Sequence, residues 1–167
     1  GIDINEEIYT DDEFTPQRII NEINKHGGLA IISHPAWSFL THGDIMALCN
    51  YSGIEIWNTT SEVKVLRGSS ESYLDVLASK GIITNIFAVD DTHLYENDVF
   101  GGYIMVNCRD LKKDCIMDAI RKGSFYSSQG PEIKQITIEK EYISVECSPV
   151  KQIAFLSDIF YSAKDRI

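Results

Sequence analysis

Leu29-Ala30-Ile31-Ile32-Ser33-His34-Pro35 is a short continuous apolar run that ends on a histidine and a proline. An unbroken run of this length, without apolar–polar alternation, predicts a strand buried on both faces, as in a parallel sheet. Just upstream, Thr15-Pro16 supplies a hydroxyl N-cap and a proline at the first helical position. Ile19, Ile20 and Ile23 then share one helical face until His26-Gly27-Gly28 ends the helix.

Downstream the pattern repeats. Asp44–Asn50 predicts a short helix and Gly53–Trp57 a second strand. Glu71–Lys80 has helical spacing and stops at Gly81, before a third strand over Ile82–Val89 with a break near Thr84-Asn85. Gly102–Asn107 reads as a fourth strand and Leu111–Lys122 as a helix closed by Gly123. Strands alternating with helices imply βαβ units and a parallel sheet. After Pro131 the pattern changes: Lys134–Glu139 and Tyr142–Cys147 alternate apolar and polar residues, and Gln152–Leu156 is another short strand. The expected division is an α/β unit over 1–131 with a small antiparallel appendage over 132–167.

The chain has 167 residues, 44% of them hydrophobic, and a net charge of −10 from 15 basic and 25 acidic residues. That length suits one domain and buries a real core. The acidic balance argues against a nucleic-acid backbone partner, which a basic face would serve. No apolar run reaches the roughly 18 residues of a membrane span. The acidic opening Gly1-Ile2-Asp3-Ile4-Asn5-Glu6-Glu7 lacks the pattern of a signal peptide and reads as loop. Cys49, Cys108, Cys115 and Cys147 show neither zinc-knuckle nor redox spacing. They read as scattered thiols of a reducing, cytoplasmic setting.

Four histidines are present. His26 in a helix's last turn reads as structural and His42 as surface. His34 and His93 each directly follow an apolar strand, where parallel α/β folds gather their active sites. Asp91 and His93 stand two apart, so in extended chain both face one side and can share a divalent cation. Glu55, inside the second strand, needs a metal, an arginine or a backbone donor as partner. Asn58, just past it, is a candidate substrate contact or a support behind the ligands, and Asp90 a supporting residue facing away from the Asp91/His93 side. The stretch Gly123–Pro131, with Tyr126 and Ser128, offers hydroxyls for an oxyanion or simply closes a loop. No Gly-rich phosphate cradle or nucleophile elbow is present.

In order, Gly28–Pro35, Gly53–Asn58, Ala88–His93 and Arg121–Pro131 resemble the later motifs of PHP-domain proteins, the polymerase and histidinol phosphatase family of metal-dependent phosphoesterases. The resemblance covers about positions 15 to 156. It implies the carboxyl-terminal part of a distorted (β/α)7 barrel, with His34, Asp91 and His93 as metal ligands at the strand ends. Zinc, manganese or iron would be the cofactor and a small phosphorylated molecule the substrate. The Tyr126–Gly130 segment resembles a stretch near the barrel mouth.

The family begins with a His-x-His strand, and no His-x-His occurs here. The expectation is therefore a truncated piece, inactive alone, whose partner is the absent amino-terminal half or another copy. A different class of reading is a non-catalytic binding or assembly module. A third, an unrelated α/β protein with coincidental histidines, would be supported by His34 lying far from Asp91 and His93.

Overall fold

The computed structural model describes residues 1–11, 13–93 and 97–155. Helix α1 (Pro16–Lys25) starts where the sequence places it, with Thr15 Oγ1 accepting from the Arg18 amide at 3.2 Å. Strand β1 is only Ile31–Ile32, because the flanking residues lack a neighbouring ladder. Helix α2 (His42–Met46) begins two residues before the expected Asp44. Its start is a capping box: Thr41 Oγ1 accepts from the Asp44 amide, and Asp44 returns the bond to the Thr41 amide.

Strand β2 (Gly53–Asn58) runs straight into α3 (Thr59–Val65), a helix absent from the sequence reading. Helix α4 (Glu71–Ser79) and strand β3 (Asn85–Val89) follow. The break expected near Thr84-Asn85 is in fact the point where β3 starts. Then come β4 (Tyr103–Val106), α5 (Lys113–Arg121) and β5 (Phe125–Ser128), and last β6 (Ile133–Ile138) and β7 (Ile143–Cys147). Residues 152–155 form no strand, and Leu156 and the rest of the appendage lie outside the described residues.

The βαβ expectation holds for one three-stranded parallel sheet, ordered β1-β2-β3. The barrel does not. β4 pairs antiparallel with β5, β6 antiparallel with β7, and among the described residues the three small sheets stay open. A barrel needs each strand bonded to the next until the last meets the first. Here the free edge of β3 is met by a side chain: Ser127 Oγ accepts from the Ala88 amide and donates to the Ile86 carbonyl, each at 2.8 Å. That hydroxyl occupies the positions a fourth parallel strand would use. β5, expected as loop, is the strand that carries it.

Helices cover both faces of the parallel sheet, as a sheet buried on two sides requires. Ile45 of α2 and Leu77 of α4 pack with Ile32 and Ile54 on one side. Ile120 of α5 packs with Leu29 and Phe87 on the other. Ile20 and Ile23 of α1 meet Ala30. No helix among the described residues is long and apolar enough to cross a membrane.

The acidic opening segment is docked. Ile2 exchanges both backbone bonds with Leu29, and Asp3 contacts Lys113 Nζ and Arg121 Nη2, each at 2.7 Å. The Lys113 ammonium first, then the Arg121 guanidinium, hold the Asp3 carboxyl below the usual aspartate range; Asp3 in turn raises Lys113. A lowered carboxyl stabilises the fold above its unfolded value, and that contribution disappears as acid protonates it. A raised amine contributes below its unfolded value and loses this in base. The pair therefore operates between about pH 4 and pH 10. Asp3→Asn is expected to lower the urea midpoint at pH 7, with the gap to wild type closing below about pH 4. A gap that does not change with pH would contradict this.

Candidate functional site at the strand carboxyl ends

The three parallel strands end together, so the residues that follow them meet. His34 lies two residues past β1, Asn58 is the last residue of β2, and Asp91 and His93 follow β3. His34, Asp91 and His93 line one cleft of about 220 Å³, with Trp37, Thr60 and Lys64 around them. The wide separation that would have supported coincidental histidines is not observed.

Asn58 organises this end of the sheet. It is 1% exposed, and each of its polar atoms is placed. Nδ2 donates to Glu55 Oε2 at 3.1 Å and to Asp91 Oδ2 at 3.2 Å, while Oδ1 accepts from the Ser61 amide at 2.9 Å and caps α3. The partners fix the amide's orientation, because carboxylates only accept and a backbone N–H only donates. Glu55 Oε2 also accepts from the His34 amide at 2.8 Å. Glu55 thus finds a backbone donor and an amide as the partners its place in a strand demanded. One path of hydrogen bonds joins the ends of β1, β2 and β3.

The Asp-x-His turn is held separately. His93 Nδ1 lies against the Asp91 carbonyl, which can only accept, so Nδ1 carries a proton, and in the neutral ring Nε2 is the nitrogen with the free lone pair. A ring nitrogen bonded to a carbonyl orients many metal-binding histidines this way. His34 Nδ1 is 2.9 Å from Ser38 Oγ. Asp98, 4% exposed, accepts from the His93 amide at 2.8 Å. Thr60 Oγ1 sits 2.8 Å from the Asp91 carbonyl and 3.2 Å from Asp98 Oδ2. Neither Thr60 nor Asp98 was singled out in the sequence: Thr60 acts through partners 31 and 38 positions away, and Asp98 reaches back to the His93 amide from within the same loop.

Asp90 turns away from the cleft, as its alternation with Asp91 predicts. Its carboxylate accepts from the amides of Phe100, Gly101 and Gly102. The close approach needs glycine: a Cβ at Gly101 would stand 2.5 Å from Thr59 Cγ2, and one at Gly102 2.5 Å from Trp57 Cδ1. Tyr126 and Ser128 lie elsewhere. Tyr126 Oη accepts from the Ile133 amide, and Ser128 Oγ donates to the Pro131 carbonyl, so both tie β5 to the segment leading into β6.

His34 and Asp91 are two of the seven described non-glycine residues with positive φ, at 31° and 51°. Positive φ is uncommon outside glycine, and such strain gathers at functional sites.

By type, two imidazoles and a carboxylate suit a divalent transition metal. The His93 tautomer suits it too. Among the described residues, however, no group of three or more His, Cys, Asp or Glu side chains forms a metal-holding cluster. His34, Asp91 and His93 line the same cleft without forming such a cluster. No family model, curated protein or solved structure matches the chain.

Asn58→Ala would leave the buried Ser61 amide unpaired and remove a donor from Glu55 and Asp91, and is expected to cost about 1–3 kcal/mol in urea unfolding. Asn58→Asp would set a third carboxylate beside Glu55 and Asp91. It should destabilise more at pH 7 than at pH 5, where protonation relieves the repulsion. A fully stable Asn58→Asp protein would contradict the assigned bonding.

Proposed function

We propose that the cleft is part of a metal-dependent phosphoesterase site of the PHP type. The observation that carries this is the convergence of His34, Asp91 and His93 on one cleft from the ends of two strands. Their order along the chain, within motifs that resemble the family's, supports the same reading. The barrel that the resemblance implied plays no part, because the site is formed at the ends of an open three-stranded sheet.

A divalent ion bound there would polarise a phosphoryl oxygen and acidify a water. The chain's own groups have separable tasks. His93 Nε2, His34 and the Asp91 carboxylate supply donors to the ion, and Glu55 and Asn58 hold Asp91 and the His34 backbone in place. Lys64, on the cleft wall, meets a phosphoryl oxygen as a point charge. Other donors must complete the coordination, so turnover by this chain alone is expected to be slight. With four free thiols, a reducing, cytoplasmic setting is part of the proposal.

One observation favours an assembly module instead. Ile136, Ile138, Ile143 and Val145 form one face of the β6–β7 ribbon, and the three isoleucines are 53%, 75% and 49% exposed. An open apolar face on a two-stranded sheet favours association.

Calorimetric titration with manganese or zinc, paired with light scattering, separates the readings. The phosphoesterase reading expects at most one weakly held ion per chain, lost in Asp91→Asn, with little hydrolysis of p-nitrophenyl phosphate. Absence of any Asp91-dependent ion binding would contradict it. Two or more tightly held ions with brisk turnover would overturn the partial-site account. A stable dimer that Ile138→Lys returns to monomer supports the assembly reading, and a clean monomer counts against it.

A further inference from the structure

We infer that the groove beside the cleft receives a planar heterocycle of nucleobase size, belonging to the ester whose phosphoryl group enters the His34–Asp91–His93 cleft; the phosphoryl half of this inference rests on the phosphoesterase reading. The groove encloses about 500 Å³ and is lined by Trp37, Ser38, Phe39, Val65 and Arg67. That volume lies within the range of small-molecule sites, about 300–1,000 Å³.

Its walls carry flat side chains that stay largely exposed. Phe39 is 73% exposed with φ of 55°, a conformation that a bulky residue rarely adopts. Its ring is covered by Arg67, whose guanidinium carbon stands 4.0 Å from the ring centroid. Trp37 is 48% exposed, so much of its indole remains available. Indole faces and guanidinium–phenyl layers bind planar bases through stacking and cation–π attraction, whatever the base.

Two connections tie the groove to the cleft. Trp37 lines both, and its ring meets the His34 ring edge-on at 5.0 Å between centroids. Lys64 on the cleft, in the last turn of α3, and Arg67 on the groove, just past the helix, sit three residues apart. They place two cations along this path in a chain of net charge −10. An anion attached to a flat ring matches both features; an uncharged apolar segment matches only one.

The test titrates the full chain, with manganese present, using adenosine 5′-monophosphate, ribose 5-phosphate and adenosine. Binding is read by calorimetry and by quenching of Trp37 fluorescence in a Trp57→Phe background. The monophosphate should bind about tenfold or more tighter than ribose 5-phosphate, the scale of one stacked base. Phe39→Ala and Arg67→Ala should each abolish that preference and leave the ribose 5-phosphate affinity unchanged. Asp91→Asn should weaken both phosphates and spare adenosine. Equal affinity for the two phosphates in the wild-type chain, or a preference that survives Phe39→Ala, would overturn the inference. So would self-association through Phe39 without nucleotide binding. Groove-dependent adenosine binding, with phosphates indifferent to Asp91→Asn, would uphold the heterocycle site while the phosphoesterase reading fails.

Discussion

The amide of Asn58 is the constraint on which this end of the molecule depends. It is buried, and it bonds carboxylates on either side of it. Without a neutral double donor between them, the half-buried Glu55 and the exposed Asp91 would face each other as like charges with no hydrogen-bond donor shared between them. Its carbonyl oxygen at the same time caps α3, the element that brings Thr60 and Lys64 to the cleft. One side chain thus couples the β2 terminus, the Asp91 carboxylate and the helix that walls the site.

The rest of the fold delivers strand ends to that point. Core packing from α2 and α4 on one face and α5 on the other fixes the parallel sheet. Ser127 closes the β3 backbone from the side, so the sheet stops at three strands and its carboxyl ends remain accessible. Asp90, gathering the amides of residues 100–102, folds the following loop back beside β3. The strain in His34 and Asp91 is held by these surroundings rather than by either residue itself.

Much of this was legible in the sequence. Apolar runs located the three parallel strands, and Thr15-Pro16 fixed the start of α1 to the residue. His34, Asp91 and His93 could be singled out because each follows a strand, and alternation correctly turned Asp90 away from Asp91. What escaped depends on tertiary pairing. α3 follows β2 without a turn residue, and its cap is a residue that reads equally well as a strand end. β5 looks like a serine-rich loop because its role is to offer a hydroxyl to the edge of β3. The barrel expectation failed at that edge: local patterning indicates a strand but not which neighbour it will bond. The Thr41-x-x-Asp44 box was visible and would have placed α2 correctly.

The central claim is that the strand ends form a cation site assembled around Asp91. It is tested most directly by paramagnetic broadening of backbone amide signals during a titration with manganese. The account predicts that His34, Asn58, Thr60, Asp91 and His93 broaden first and together, and that Asp91→Asn removes the effect. Broadening that begins at surface carboxylates such as Asp110 or Glu139, leaving the cleft residues sharp, would contradict it.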